Sequence, residues 1–140
     1  MRRYELVDHT ADVAIKAHGD SLADAFAAAA DALFEILTDQ PDIRMERDLT
    51  IEVTAVDREG LLVNLLSELL LVFEVDGMVL KDFDVTFLDD HCLRAHGHGE
   101  AFDEARHGLG YQVKGVSYHM MEIVDGGSDD PSYVQVLFDV

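Results

Sequence analysis

Cysteine is nearly absent. Cys92 stands alone, so no disulfide can form within the chain, which is the usage of a reducing compartment. Positive charge is scarce too. Ten Lys and Arg face 29 Asp and Glu, a formal net charge of −19, and the lysines are Lys16, Lys81 and Lys114 alone. Such a chain repels the phosphates of nucleic acid and of anionic membrane surfaces, which leaves cations and proteins with basic grooves as favoured partners. A solvated acidic coat suited to a salt-rich cytosol gives the same bias, and composition does not separate the two. Long apolar runs are missing. The most hydrophobic stretch, 61–75, is too short for a membrane span and carries Asn64, Ser67, Glu68 and Glu74. The opening MRRYELVDHT turns strand-like at once, with no signal-like run. No Gly-rich phosphate loop, HExxH or Ser/Cys nucleophile motif occurs. The expectation is a soluble cytoplasmic protein.

What is present suits a folded core: 140 residues, 49% of them hydrophobic, with no internal repeat and no linker that would divide the chain. A single domain over 1–140 is expected. Residues 4–19 read as two short strands around the polar centre Asp8-His9-Thr10-Ala11-Asp12, with Val13 and Ile15 alternating against Ala14 and Lys16. That centre is either a turn in which Asp8 and Asp12 bond their own backbone or part of a site.

Ser21 can cap a helix running to Leu37, with Asp24 three residues on; Leu22, Phe26, Ala29 and Leu33 form its apolar face. After a polar connection containing Pro41, Leu49 to Val56 alternates as a strand with one wet face. A second helix, Gly60 to about Val75, is apolar nearly all round, which predicts deep burial. Val79–Leu88 and His91–His98 flank Asp89-Asp90 as a hairpin, Glu100 to Gly110 reads as a loop, and Tyr111–Val124 and Tyr133–Val140 read as strands. The predicted class is α+β, with two main helices against a largely antiparallel or mixed sheet.

Two spots carry metal-binding chemistry. His96 and His98 share one side of a strand, but no third ligand is evident nearby, and a solvent-facing pair is the preferred reading. The other spot is the end of the last strand, where Asp139 and Val140 supply a side-chain carboxylate and further oxygen close together. These are hard donors of the kind Ca²⁺, Mg²⁺ or Mn²⁺ prefer. If the last strand lies beside the first hairpin, Asp12 adds another. The bland alternative is a frayed, solvated strand end.

Four stretches together resemble the archease family: His9-Thr10-Ala11-Asp12-Val13, the helix segment LLVNLLSELL at 61–70, Val113-Lys114-Gly115-Val116-Ser117-Tyr118-His119, and Leu137-Phe138-Asp139-Val140. They span the chain in the family order. Two departures stand out: Asn64 where an aromatic residue is usual, and Lys-Gly-Val-Ser-Tyr-His where Lys-Ala-Val-Thr-Tyr-His is commoner. The resemblance implies an accessory protein rather than an enzyme, one that activates the GTP-dependent tRNA-splicing RNA ligase by promoting its guanylylation and multiple turnover. It implies a divalent ion (Ca, Mg or Mn) at Asp12, Asp139 and Val140, and a functional lysine at Lys114 contacting phosphate or the partner. His9 and His119 are further candidates, supporting the ligands. Two other classes stay open. One is a stand-alone metal-dependent hydrolase using His9 or His119 as base. The other is a general chaperone-like module presenting the helix 61–75.

Overall fold

A computed structural model describes residues 3–8, 12–39 and 42–140. His9 to Ala11 lie outside the described residues, and with them the turn expected between Asp8 and Asp12; so does Pro41. The element order is β1 (Arg3–Asp8), β2 (Asp12–Gly19), α1 (Leu22–Leu37), β3 (Arg47–Thr54), α2 (Arg58–Glu74), β4 (Met78–Leu88), β5 (Cys92–Ala101), α3 (Glu104–His107), β6 (Gly115–Val124) and β7 (Ser132–Asp139).

The class is α+β and every strand pairing is antiparallel, but the strands divide into two sheets rather than one. The orders are β1-β2-β7-β6 and β3-β5-β4. The helices lie between them: α1 packs on β2 and β7 on one side and on β4 on the other, while α2 packs on β6 and β3. This middle position explains why α1 is buried almost all round, including Ala27, Ala29, Ala30 and Ala32 at 0% exposure. Two sheets can approach one helix this closely only where its side chains are small.

Helix starts follow local chemistry. Ser21 Oγ accepts from the Asp24 N–H, and the Asp57 carboxylate accepts from the Gly60 N–H, each satisfying one of the first-turn donors a helix leaves unpaired. Asp31 of α1 accepts the Phe83 N–H of β4. Asn64 donates to the Thr54 carbonyl, so the polar residue in the apolar helix ties α2 to the end of β3. The chain turns between β4 and β5 at Asp89, whose Oδ1 accepts the His91 and Cys92 amides; these bonds hold its carboxyl below the usual range.

The core is Phe26, Phe34, Phe83, Phe138 and a set of leucines from α1 and α2. Each contributes roughly 1.5–3 kcal/mol by leaving water. On β5, Gly97 accommodates the Phe83 ring, to which an added Cβ would come within 2.6 Å.

The stretch 100–110 is not a plain loop. β5 continues through a buried Glu100, and Asp103 caps the short α3 by accepting from the Ala105 N–H. At the other boundary, 111–114 is irregular, and β6 starts only at Gly115. Its pairing with β7 shifts between Ser117 and Glu122, and there Met120 adopts φ 58°.

Candidate functional site

The last strand lies beside the first hairpin. β7 is an inner strand between β2 and β6, and in its register Asp12 stands directly opposite Asp139. Directly opposed residues on antiparallel strands project to the same face, with Cβ atoms about 5 Å apart. The alternation fixes which face. Val13, Ile15, Ala17 and their partners Phe138, Val136 and Val134 point into the helix layer. Asp12 and Asp139 therefore point outward, Asp12 half-buried and Asp139 exposed.

The third position in this row is Gly115, which pairs with Asp139 from the other side. A Cβ there would meet the Asp139 carboxylate at 3.9 Å. Glycine leaves that flank of the carboxylate open. The Lys114 N–H donates to the Asp139 carbonyl at 2.7 Å, and its side chain is exposed. β2, β7 and the residue just before β6 thus bring Asp12, Asp139 and Lys114 to one corner, with Val140, half-buried against the core, following Asp139 directly.

The donor chemistry fits a hard divalent ion. Two carboxylates at this spacing repel each other by about 1 kcal/mol even in water, and a cation shared by both reverses that sign. Among the described residues no group of three His, Cys, Asp or Glu side chains is placed to hold a metal. An ion held here would need further oxygen, which the main chain at Val140 could supply, and such an all-oxygen set would suit Ca²⁺, Mg²⁺ or Mn²⁺ better than zinc.

The other candidates lie elsewhere. His9 is outside the described residues. His119 sits in the irregular part of β6, exposed, beyond the Ser117–Leu137 pair, and its N–H donates to Ser117 Oγ. On the opposite sheet, His96 Nδ1 meets Thr50 Oγ1 at 2.7 Å and His98 Nδ1 meets Asp48 at 2.6 Å. Cross-strand neighbours on β3 thus account for that histidine pair.

One charged cluster escaped the sequence reading. Glu100, 4% exposed, accepts from Arg106, from the Arg44 N–H at 2.6 Å and from His107 Nε2 at 3.1 Å. His107 is fully buried, and its Nδ1 accepts the Asp103 N–H, so the ring proton sits on Nε2 and is donated to Glu100. Burial opposes the charge on Glu100, but the hydrogen bonds from Arg106, the Arg44 amide and His107 outweigh it and hold the carboxyl at about 2. The cluster is saturated by its own partners, so it pins the segment after residue 42 to β5 and α3. Its one sequence signal is Asp103 before a single helical turn that ends in Arg106-His107.

A helix layer between two antiparallel sheets, with opposed carboxylates at the end of an inner strand, defines a small three-layer α+β protein with an oxygen-rich corner. The chain belongs to the archease family. The Archease protein family matches residues 4–140. Protein archease of Pyrococcus abyssi is 37% identical over 126 residues, covering 88% of this chain and 89% of that protein. The solution structure of protein 1598 of Methanobacterium thermoautotrophicum superposes with a TM-score of 0.79 at 32% identity, over 98% of each chain. An archease from Thermotoga maritima, described as a possible chaperone, shares the fold with a TM-score of 0.64 at 18% identity, over 97% of this chain and 96% of that one. No helix among the described residues is long and apolar enough to cross a membrane.

Proposed function

We propose that this archease is a non-catalytic accessory protein in tRNA splicing. It activates the GTP-dependent tRNA-splicing RNA ligase, promoting guanylylation and multiple turnover. The observation that carries the reading is the register of β2 on β7, which sets Asp12 against Asp139 beside the open flank at Gly115. Asp12, Asp139 and a main-chain oxygen of Val140 hold a divalent ion. When bound, such an ion neutralises charge on nucleotide phosphates. Lys114, anchored through its own N–H to the Asp139 carbonyl, extends from the same corner toward a phosphate or an acidic group of the ligase. The acidic surface favours approach to a basic RNA-binding groove on the partner while keeping RNA itself away.

Family membership and the corner's donor chemistry support this reading over a stand-alone hydrolase. The carboxylates face outward from a sheet, and β6 places Gly115 across from Asp139 rather than a base.

The test is guanylylation of the ligase with and without this protein across Ca²⁺, Mg²⁺ and Mn²⁺. Asp12→Ala and Asp139→Ala are expected to lose at least about tenfold of the stimulation. Full stimulation by either variant refutes the assignment. Nucleotide turnover by the pure protein with Mn²⁺ points to the hydrolase, and broad metal-independent suppression of aggregation points to a general chaperone.

A further inference from the structure

The C-terminal ends of α1 and α2 converge on a groove of about 570 Å³ remote in chemistry from the carboxylate corner. Its lining includes Leu37, Phe73, Leu109, Tyr111 and Val113, with Glu74 at the side. Two of the apolar residues that line it are largely exposed, Leu109 at 59% and Tyr111 at 54%, together on one short segment rather than scattered singly.

Electrostatics selects the occupant. A helix presents its negative end at its C-terminus, and the end of α2 opens here; at α1 the last carbonyls are already taken by backbone N–H groups of the floor. Neither α1 nor α2 has a basic residue in its last turn. Glu74 adds a formal negative charge, and no Lys, Arg or His is among the described lining residues. Lys114 follows one residue after Val113, where the groove's floor leaves for β6. The floor is held firmly, because the Gly110 and Tyr111 N–H groups donate to the Leu37 and Ile36 carbonyls at the end of α1. The groove is thus preformed, apolar below and negative at its side. A second copy of a chain with net charge −19 is a poor match for it.

We infer that the groove between the ends of α1 and α2 and the segment 109–113 docks a short segment of a protein partner that alternates apolar anchors with Lys or Arg. The apolar side chains enter over Phe73 and Tyr111, and the cations meet Glu74 and the end of α2. No lining residue of the groove is one of the corner's carboxylates.

The experiment is fluorescence anisotropy of a labelled short peptide alternating arginine with leucine, titrated with the full chain. Two control peptides replace arginine by glutamate or leucine by serine. The arginine–leucine peptide is expected to bind, with both controls at least about tenfold weaker. Glu74→Lys and Tyr111→Ser should each weaken it at least about tenfold, while Asp129→Lys, an equal charge change on the 126–131 turn, costs less than about twofold. Asp12→Asn should leave peptide affinity unchanged. Glu74→Lys places a cation at the end of α2, where it favours the helix, so its melting temperature should stay at or above that of the parent and separates lost docking from lost folding. Absence of binding overturns the proposal. So does equal weakening by Asp129→Lys, which reduces the effect to overall charge, or equal binding of the arginine–serine peptide, which removes the role of the apolar floor. A dimer in sedimentation that Tyr111→Ser dissolves assigns the groove to a second copy instead.

Discussion

An added carbon at Gly99 would lie 1.8 Å from the Val79 carbonyl oxygen and 2.8 Å from its carbon. That neighbour is backbone within a paired strand and cannot swing aside. Gly99→Ala is expected to cost roughly 3 kcal/mol or more of unfolding free energy. Urea titration checks it, and a neutral result means β4 and β5 are further apart than described. Next along β5, Glu100 sets a pH dependence with a definite sign. Its ordinary value is 4.5 and its folded value about 2. The contribution is therefore complete above about 4.5, declines as pH falls toward 2, and is absent below. Glu100→Gln should be less stable than the parent at neutral pH, and the gap should narrow over that window; a gap that does not move with pH contradicts the ion-pair account. Sequence alone ends this strand at His98 and reads residues 100–110 as a loop, whereas the strand runs to Ala101. Leu93 and Ala95 alternate legibly, but Gly97 and Gly99 look like a strand running out. Of the partners that make a buried Glu100 tolerable, Arg106 and His107 are near in sequence, but the Arg44 amide is 56 residues away in the chain.

Secondary structure was legible where its cause is local. Ser21 could be read as a cap because the cap bond spans three residues. Ser21→Ala is expected to lower stability by about 1 kcal/mol, read by thermal or urea unfolding. The full burial of α1 was not legible, since the second sheet that covers it comes from residues 47–101. Ala30 is fully buried in this helix. Ala30→Leu should cost about 1–3 kcal/mol, although leucine is an excellent helix former; a stabilised variant contradicts the sandwiched helix. β6 misled in the other direction. Alternation over 111–124 hides the shift after Ser117, which Gln135 supports by donating to the Met120 carbonyl. It also hides that 111–113 belong to the floor of a groove.

For the whole molecule, charge and topology set the behaviour. A net charge of −19 on 140 residues opposes compaction through self-repulsion, so raising monovalent salt should raise the melting temperature as screening takes hold. At constant ionic strength, Ca²⁺ should add a further increment, about 2.7 kcal/mol at a hundredfold excess over its dissociation constant. Asp12→Asn and Asp139→Asn should abolish that increment but keep the salt effect. If both variants retain it, the ion sits elsewhere. The meeting of Asp12 with Asp139 was legible only as a conditional, because strand order in a sheet is not written in either strand. That order also bears on biosynthesis. The hairpin carrying Asp12 leaves the ribosome well before β7, its neighbour in the sheet. A chain interrupted before residue 132 lacks β7, leaves α1 uncovered on that side and holds Asp12 without Asp139. Aborted translation products would thus be open to proteolysis before the two carboxylates could meet.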